Sequence, residues 1–505
     1  MIRILGVLPQ VFNDNAWNFQ KEMAENYGGV VKLTGLLGDV QLYVFDPKAM
    51  HHIVVKDTNT YEESISFIAL NLAVFGRGIL AVVGEQHRKQ RKMLNPVFSI
   101  AHMRQMLPTF YNVGHKLRDA IEMKVEAGPN EVELVSWMTR TALELVGQSG
   151  FGVSFDPLTE GGIPHPYTVA AKQVVPITFK FFISRIYLLP LLINIGTPKL
   201  RRFFVNLAPW KDLRDLRDHV DILHKTAVEI IETKKAALAE GDKAVARQIG
   251  QGKDILSILL RANMSASKEE SLTEEELVGQ ISTLTFAAMD TTSSALSRTL
   301  WLLANHQDVQ DRLRAEVREA RKQGDPSYDE LVHLPYLDAV CRETLRLYPP
   351  ITSVARTTRQ DSLLPLHNPI KGLDGKEMRE IFVPKDTDVF VSILASNTNP
   401  DIWGPDSYEW KPDRWLTSMP DAVIETHVPG VYSHLMTFLG GGRSCIGFKF
   451  SQLEMKVVLS LLIASFKFSP SNKEVVWKMT GIVTPTTAGN KTPTPELPLV
   501  VELMA

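Results

Sequence analysis

Cys445 closes a glycine-rich stretch, Phe438-Leu-Gly-Gly-Gly-Arg-Ser-Cys-Ile-Gly447. Only one other cysteine, Cys341, occurs in 505 residues. That count excludes a disulfide framework and a cysteine-rich zinc site, and it suits a reducing compartment. Glycines let a backbone approach a large flat ligand closely. A helix opening just after the cysteine, with Arg443 nearby, favours thiolate over thiol. A thiolate that accepts backbone hydrogen bonds is what a soft, redox-active metal requires of a ligand. A lone cysteine after glycines is by itself commonly just a buried thiol. Cys341, inside a helix, reads as a small core residue of that kind.

Three further segments carry polar groups at useful spacings. Glu343-Thr-Leu-Arg346 puts an acid and a base on one helical face. Alone this is a common surface ion pair worth little, but Leu345, Leu347 and Pro349-Pro350 around it favour burial. Ala287-Ala-Met-Asp-Thr-Thr292 places an acid and a hydroxyl, Asp290 and Thr291, beside two small residues in mid-helix. The bland alternative is a threonine bonded to its own i−4 carbonyl and a solvated aspartate. Gly84-Glu-Gln-His-Arg-Lys-Gln-Arg91 brings His87 and Arg91 onto one face.

In this order, these segments resemble the cytochrome P-450 superfamily of haem-thiolate monooxygenases, most nearly its fungal, microsomal-type members. The likeness runs from about Val30 to the C-terminus and rests on the window Phe-x-x-Gly-x-Arg-x-Cys-x-Gly. It implies that Cys445 is the axial ligand of the iron of haem b, with Phe438 and Gly447 in the cofactor loop. It implies that His87, Arg91, Arg356 and Arg443 bind haem propionates, His87 standing where the family often has Trp. Glu343 and Arg346 would meet Arg414 of Pro412-Asp-Arg-Trp415 in a structural triad. Asp290 would relay protons and Thr291 would hydrogen-bond bound oxygen, with Ala288 where the family usually has Gly.

The same resemblance implies a mainly α fold with small β-sheets, the haem lying between a long central helix and the helix after the cysteine loop. It implies one monooxygenase domain over 30–505, preceded by an N-terminal remnant, 1–29, from which an anchor is missing. One oxygen atom of O2 would enter a lipophilic terpenoid, steroid or aromatic, in secondary metabolism or xenobiotic oxidation. Electrons would come from NADPH through a separate NADPH-cytochrome reductase flavoprotein. The chain would act as a monomer at the cytosolic face of the endoplasmic reticulum membrane, if a full-length form carries the anchor. Two other readings are a peroxide-driven or isomerising haem-thiolate enzyme and a non-catalytic haem sensor or carrier. The Asp290–Thr291 pair speaks against the first.

The elements that must position these groups are largely visible. Two short strands are expected between Val30 and Phe45, then a helix from Asp46 to about Lys56. Helices follow over 86–95, 102–126, 133–149, 213–239 and 254–261, with a polar linker over 241–253. Thr273-Glu-Glu-Glu276 is a capping box, and the apolar pattern after it runs to about Leu303. Another helix spans Pro335 to Leu347, short strands fill 351–391, and a helix from about Ile446 to Phe466 follows the cysteine loop.

A net charge of −2 gives no global reason to expect nucleic acid. Arg88, Lys89, Lys92 and Lys449 could instead face an acidic electron donor. The N-terminal run Met1 to Pro9 is too short to span a membrane. Ile186 to Ile195 is lipophilic, interrupted by Pro190 and flanked by Arg185 and by Lys199-Leu-Arg-Arg202, a pattern suited to lying on a membrane surface. Expected pocket walls are the Ser64–Leu80 loop, Phe286–Ala287, Ile351–Val354 and Thr484-Pro485.

Overall fold

Six helices matter most here: α1 (Gly84–Leu94), α2 (Ile100–Val125), α3 (Leu134–Leu145), α4 (Glu274–Asn305), α5 (Pro335–Leu347) and α6 (Phe448–Ser465). The computed structural model describes residues 6–11, 13–162, 165–372, 374–490 and 494–504. The first five residues of the N-terminal apolar run therefore lie outside the described residues. The chain forms two compact units. One comprises Met1–Ser64, Pro335–Phe448 and Val475–Ala488; the other comprises Ile65–Leu334, Lys449–Glu474 and Gly489–Ala505.

The first unit is organised by a five-stranded sheet. Val30–Thr34 and Val40–Val44 pair antiparallel, Val30 opposite Val44, as their alternating pattern predicts. Val40–Val44 then runs parallel to Asp388–Ser392, which pairs antiparallel with Ser353–Thr358. Tyr61–Glu63 forms the far edge and sets Glu63 directly opposite Arg356. Alternation along the first strand sends Val31 and Leu33 into a core with Tyr43, Phe45 and Ala395. The segment before the sheet is built into this unit. Helix Trp17–Asn26 contributes Met23 to that core, and the Trp17 Nε1–H donates to the Trp477 carbonyl at 2.9 Å. The helix expected after Asp46 forms over Pro47–His51 and continues as a wider turn to Lys56. The Asp46 side chain caps it by accepting from the Ala49 amide at 2.9 Å.

The second unit is mainly helical, with a three-stranded sheet of Asn130–Glu133, Pro498–Leu503 and Phe466–Pro470. Both halves of the capping box form at the start of α4: the Glu276 amide donates to the Thr273 hydroxyl at 3.3 Å, and the Thr273 amide donates to Glu276 at 2.8 Å. At 1.5 Å per residue the helix is about 48 Å long. Its first half is crossed by the segment around Gly78. A Cβ added at Gly279 would come within 2.4 Å of the Gly78 amide nitrogen, so the backbones meet without side chains between them. Gln90 of α1 locks the crossing: its amide donates to the Arg77 carbonyl at 2.9 Å and to Glu276 at 3.0 Å, and it accepts from Gln280 at 2.7 Å.

One region differs from the sequence reading, and another takes a form that reading left open. The polar linker contains a short helix, Asp242–Ala246. The stretch around Ile186–Ile195 folds as short helices, Phe182–Tyr187 and Leu189–Leu192, followed by Pro198–Leu207. Their apolar side chains are exposed rather than packed: Leu191 is 66% exposed, Phe203 56% and Phe204 61%. Among the described residues, no helix is long and apolar enough to cross a membrane.

Candidate functional site

The cysteine loop is built by close backbone packing. Gly441 has φ +67°, and a Cβ there would lie 2.0 Å from the Val54 carbonyl oxygen, so only glycine fits. A Cβ at Gly440 would likewise meet the Pro429 oxygen at 1.6 Å. The Cys445 amide donates to the Phe438 carbonyl at 2.8 Å and closes the loop. Phe438 is buried against Tyr432 and Phe448, with ring centroids 5.6 and 6.1 Å away. The Cys445 side chain is exposed, whereas Cys341 is buried. Gly442 and Gly447 behave unlike Gly440 and Gly441. A Cβ at either would meet no atom of the chain within 4 Å, and neither has positive φ. The protein's own packing does not demand glycine there, but a flat ligand pressed on that face of the loop would. The loop therefore leaves room for a flat ligand and keeps the Cys445 thiol exposed.

Beneath the loop lies a satisfied ionic cluster. Glu343 and Arg346 of α5 are both 0% exposed. Their pairing is bidentate, Nε to Oε2 at 2.8 Å and Nη2 to Oε1 at 2.7 Å. Arg414 donates to Glu343 Oε1 at 3.3 Å and to Asp406 at 2.9 Å. The Trp415 indole and the Lys411 amide also donate to Glu343, at 2.9 and 3.1 Å. Remaining guanidinium hydrogens go to backbone: Arg346 to Ser407 and Asn397, Arg414 to Trp403 and Asp406. Asn397 connects this cluster to the cysteine loop. Its side chain donates to Thr437 at 2.8 Å and accepts from the Met436 amide at 2.8 Å, while Thr437 donates to the Leu345 carbonyl of α5 at 2.7 Å. Nothing in the sequence around Asn397 singles it out; its role comes from distant chain meeting it.

Arg356 and Arg443 come together through two acids that the sequence reading missed. Arg356, nearly buried, donates to Glu63 at 2.8 Å. Arg443 pairs with Glu62 at 2.8 Å and lies 4.0 Å from Glu63. Burial pushes the Glu63 carboxyl up, opposed by Arg356 and then Arg443. The only sequence signal was a pair of acids in Tyr61-Glu-Glu63, which reads as surface until the strand register sets Glu63 across from Arg356.

In the second unit, α4 carries Asp290 and Thr291 at its middle. The Thr291 hydroxyl donates to the Ala287 carbonyl at 2.7 Å, the i−4 bond that the bland alternative describes. Its oxygen keeps lone pairs for accepting. Burial raises the Asp290 carboxyl to about 6, with the Lys172 ammonium acting against that rise. Lys172 is itself pushed down by burial and held up by Asp290 and Glu133. It was missed because it lies in Pro166–Lys180, a helix that no motif marks. On α1, His87 is buried and Arg91 follows one turn later on the same face. Phe286 of α4 stacks on Phe75 at 4.6 Å, so two of the expected apolar wall segments do meet. Of the four basic residues, Lys92 is paired with Glu270 at 2.6 Å and Arg88 with Glu85.

A sequence model of the family described as Cytochrome P450 matches residues 1–490. The chain is 54% identical to cytochrome P450 monooxygenase 91 of Postia placenta, over 98% of this chain and 91% of that one. It is 49% identical to cytochrome P450 monooxygenase 81 of the same fungus, over 99% and 90%. It is 44% identical to a ganoderic acid synthetase of Ganoderma lucidum, over 99% and 92%.

Proposed function

This chain belongs to the cytochrome P450 family, and on that premise we propose that Cys445 ligates the haem iron of an NADPH- and reductase-dependent monooxygenase acting on a terpenoid or steroid-like molecule. The family makes it a haem-dependent oxidoreductase. The observation that carries the site assignment is the exposed Cys445 side chain in a loop whose Gly442 and Gly447 leave space that the protein does not fill. Similarity to a ganoderic acid synthetase favours a role in secondary metabolism.

When bound, the haem supplies reductive O2 activation and transfer of one oxygen atom into a C–H bond. The overall balance is substrate, O2, NADPH and a proton giving hydroxylated product, NADP+ and water. Cys445 would hold the iron as thiolate, a ligand that pushes electron density toward it. Arg356 and Arg443 would hold a propionate, guanidinium being suited to bidentate carboxylate binding. Gly440 and Gly441 fix the loop, and the Glu343–Arg346–Arg414 cluster holds the coil that supports it. Asp290 relays protons toward Thr291, and its pKa of about 6 places it near the working pH, where proton transfer is efficient. The test is reductase-supported NADPH oxidation with product analysis over terpenoids, steroids and aromatics. Turnover on peroxide alone with no NADPH requirement, or tight haem with no oxygenated product, would contradict the reading.

Asp290→Asn sharpens it. A relay acid donates only while protonated, so the native rate should fall as pH rises through about 6. The Asn variant should lose that bend and turn over about 100-fold more slowly. Its stability should move the other way. A carboxyl with a raised folded-state pKa contributes stability that is present at low pH and is lost as pH rises through about 6. Asn escapes that loss, so the variant should melt higher than native at pH 7. Unchanged pH profiles for rate and melting would remove Asp290 from this role.

The exposed side chains of Leu191, Leu192, Phe203 and Phe204, with Arg185, Arg201 and Arg202 close in sequence, support contact with an anionic membrane surface, consistent with the cytosolic face of the endoplasmic reticulum. Burying an aromatic side chain is worth ~1.5–3 kcal/mol. The double variant Phe203→Asp, Phe204→Asp should therefore partition roughly 100-fold less onto phosphatidylserine-containing vesicles in flotation. Undiminished flotation would place the membrane contact elsewhere.

A further inference from the structure

The strand Tyr61–Glu63 carries two acids side by side, and both engage the arginines assigned above to a propionate. Arg356 donates to Glu63 Oε2 at 2.8 Å, and Arg443 Nε lies 4.0 Å from Glu63 Oε1. Glu62 Oε1 accepts from Arg443 at 2.8 Å and from the Glu63 amide at 3.1 Å. All four residues belong to the first unit. The strand register fixes their meeting, because it sets Glu63 directly opposite Arg356. Each guanidinium of the pair thus already has a carboxylate from the chain itself. A propionate would be a third carboxylate on the same two cations.

The two acids differ in what they keep when that happens. Glu62 retains the Glu63 amide, a backbone donor that no cofactor can claim. Glu63 leans on the contested guanidinium groups. Glu63 and Arg356 are 8% and 3% exposed, so bulk water cannot stand in for a lost partner, and a buried carboxylate without one is costly. The charged groups facing Glu63 are Glu62 on its own strand, Arg356 on the strand Ser353–Thr358, Arg359 on the turn after it and Arg443 in the cysteine loop. Arg359 spends a donor on the Glu63 backbone carbonyl. Burial pushes the Glu63 carboxyl up, against Arg356 and then Arg443. Carboxylates crowded into one site do not all stay ionised, and the one that burial already disfavours as an anion takes the proton.

We propose that Glu63 couples cofactor retention to a proton: it neutralises Arg356 in the cofactor-free chain and takes up one proton from solvent when a haem propionate shares Arg356 and Arg443. This inference rests on the reading of those two arginines above. One O–H bond forms on Glu63, one proton leaves solvent, and no electron moves. Glu63 acts on the cofactor through the arginines and is a positioning residue. Sharing the arginines raises the Glu63 pKa in the loaded protein above its cofactor-free value. Haem is therefore held best at low pH, where Glu63 is protonated, and the hold weakens as pH rises through the loaded-state pKa. A single proton limits that weakening to about tenfold per pH unit.

The test is haem transfer from the ferric holoenzyme to excess apomyoglobin, followed by absorption from mildly acidic to mildly alkaline pH, with far-UV circular dichroism as the check of folding. The native protein should release haem faster as pH rises, by up to about tenfold per pH unit. Glu63→Gln keeps the shape but exchanges no proton, so it should release haem slowly throughout and lose the rise. Glu62→Gln and Glu63→Asp each leave a titrating carboxyl at position 63 and should keep the rise. A flat native profile overturns the proposal. A rise that survives in Glu63→Gln, or that Glu62→Gln abolishes instead, overturns it as well. Failure of the reading beneath it would show separately in Arg356→Gln. That variant should release haem faster than native even at low pH, and release at the native rate at every pH would mean that Arg356 does not hold a propionate.

Discussion

Glu343→Ala should strip the chain of about 3–5 kcal/mol of stability and lower its melting temperature sharply. The substitution removes the acceptor of two buried guanidinium groups, together with the acceptor of the Trp415 indole and the Lys411 amide. Arg346, 0% exposed, has no route to water for its charge. Breaking a buried ion pair by deleting one partner costs about 3–5 kcal/mol. That approaches the whole net stability of many domains, about 5–15 kcal/mol. The damage should also spread to the cysteine loop. Arg346 donates to the Asn397 carbonyl, and the Asn397 side chain holds Met436 and Thr437, the residues entering Phe438. Soluble yield, melting temperature and bound haem should therefore fall together. Glu343→Gln keeps the shape and part of the hydrogen bonding but loses the charge, so its loss should be smaller. A melting temperature within experimental error of native for Glu343→Ala would mean that the cluster does not hold the coil.

Local signals carried most of what could be read before the structure. The capping box at Thr273, the Glu343–Arg346 spacing and the strands from Val30 to Val44 depend on neighbours within a few residues, and each forms as expected. The relation of Arg414 to Glu343 came from resemblance, because 71 residues separate them. What stayed hidden depends on chain meeting distant chain. Glu62 and Glu63 acquire meaning only when a strand register sets them beside Arg356 and Arg443. Lys172 acquires it only against Asp290 of α4. Asn397 bonds residues 39 and 40 positions away. The short helices between 182 and 207 escaped for another reason. Pro190 breaks the pattern, and the apolar side chains on these helices are exposed rather than packed on a core.

Cys445→Ala should abolish turnover altogether, a larger effect than any other substitution considered. Cys445 is one of two thiols in the chain, and the other is buried within α5. No second exposed thiol exists to replace it as ligand. The loop itself should survive, because the bond that closes it runs from the backbone amide of residue 445 to the Phe438 carbonyl, and the close approaches of Gly440 and Gly441 are backbone contacts. Far-UV circular dichroism should accordingly be close to native. Cys341→Ala, which removes only a small buried side chain, should keep both haem and activity. The decisive measurement is the absorption spectrum of the reduced, carbon-monoxide-bound protein, with haem content determined on the same samples. The native protein and Cys341→Ala should show the long-wavelength Soret band of thiolate ligation, and Cys445→Ala should not. Survival of that band in Cys445→Ala would contradict the assignment of the iron ligand and, with it, the account of the site.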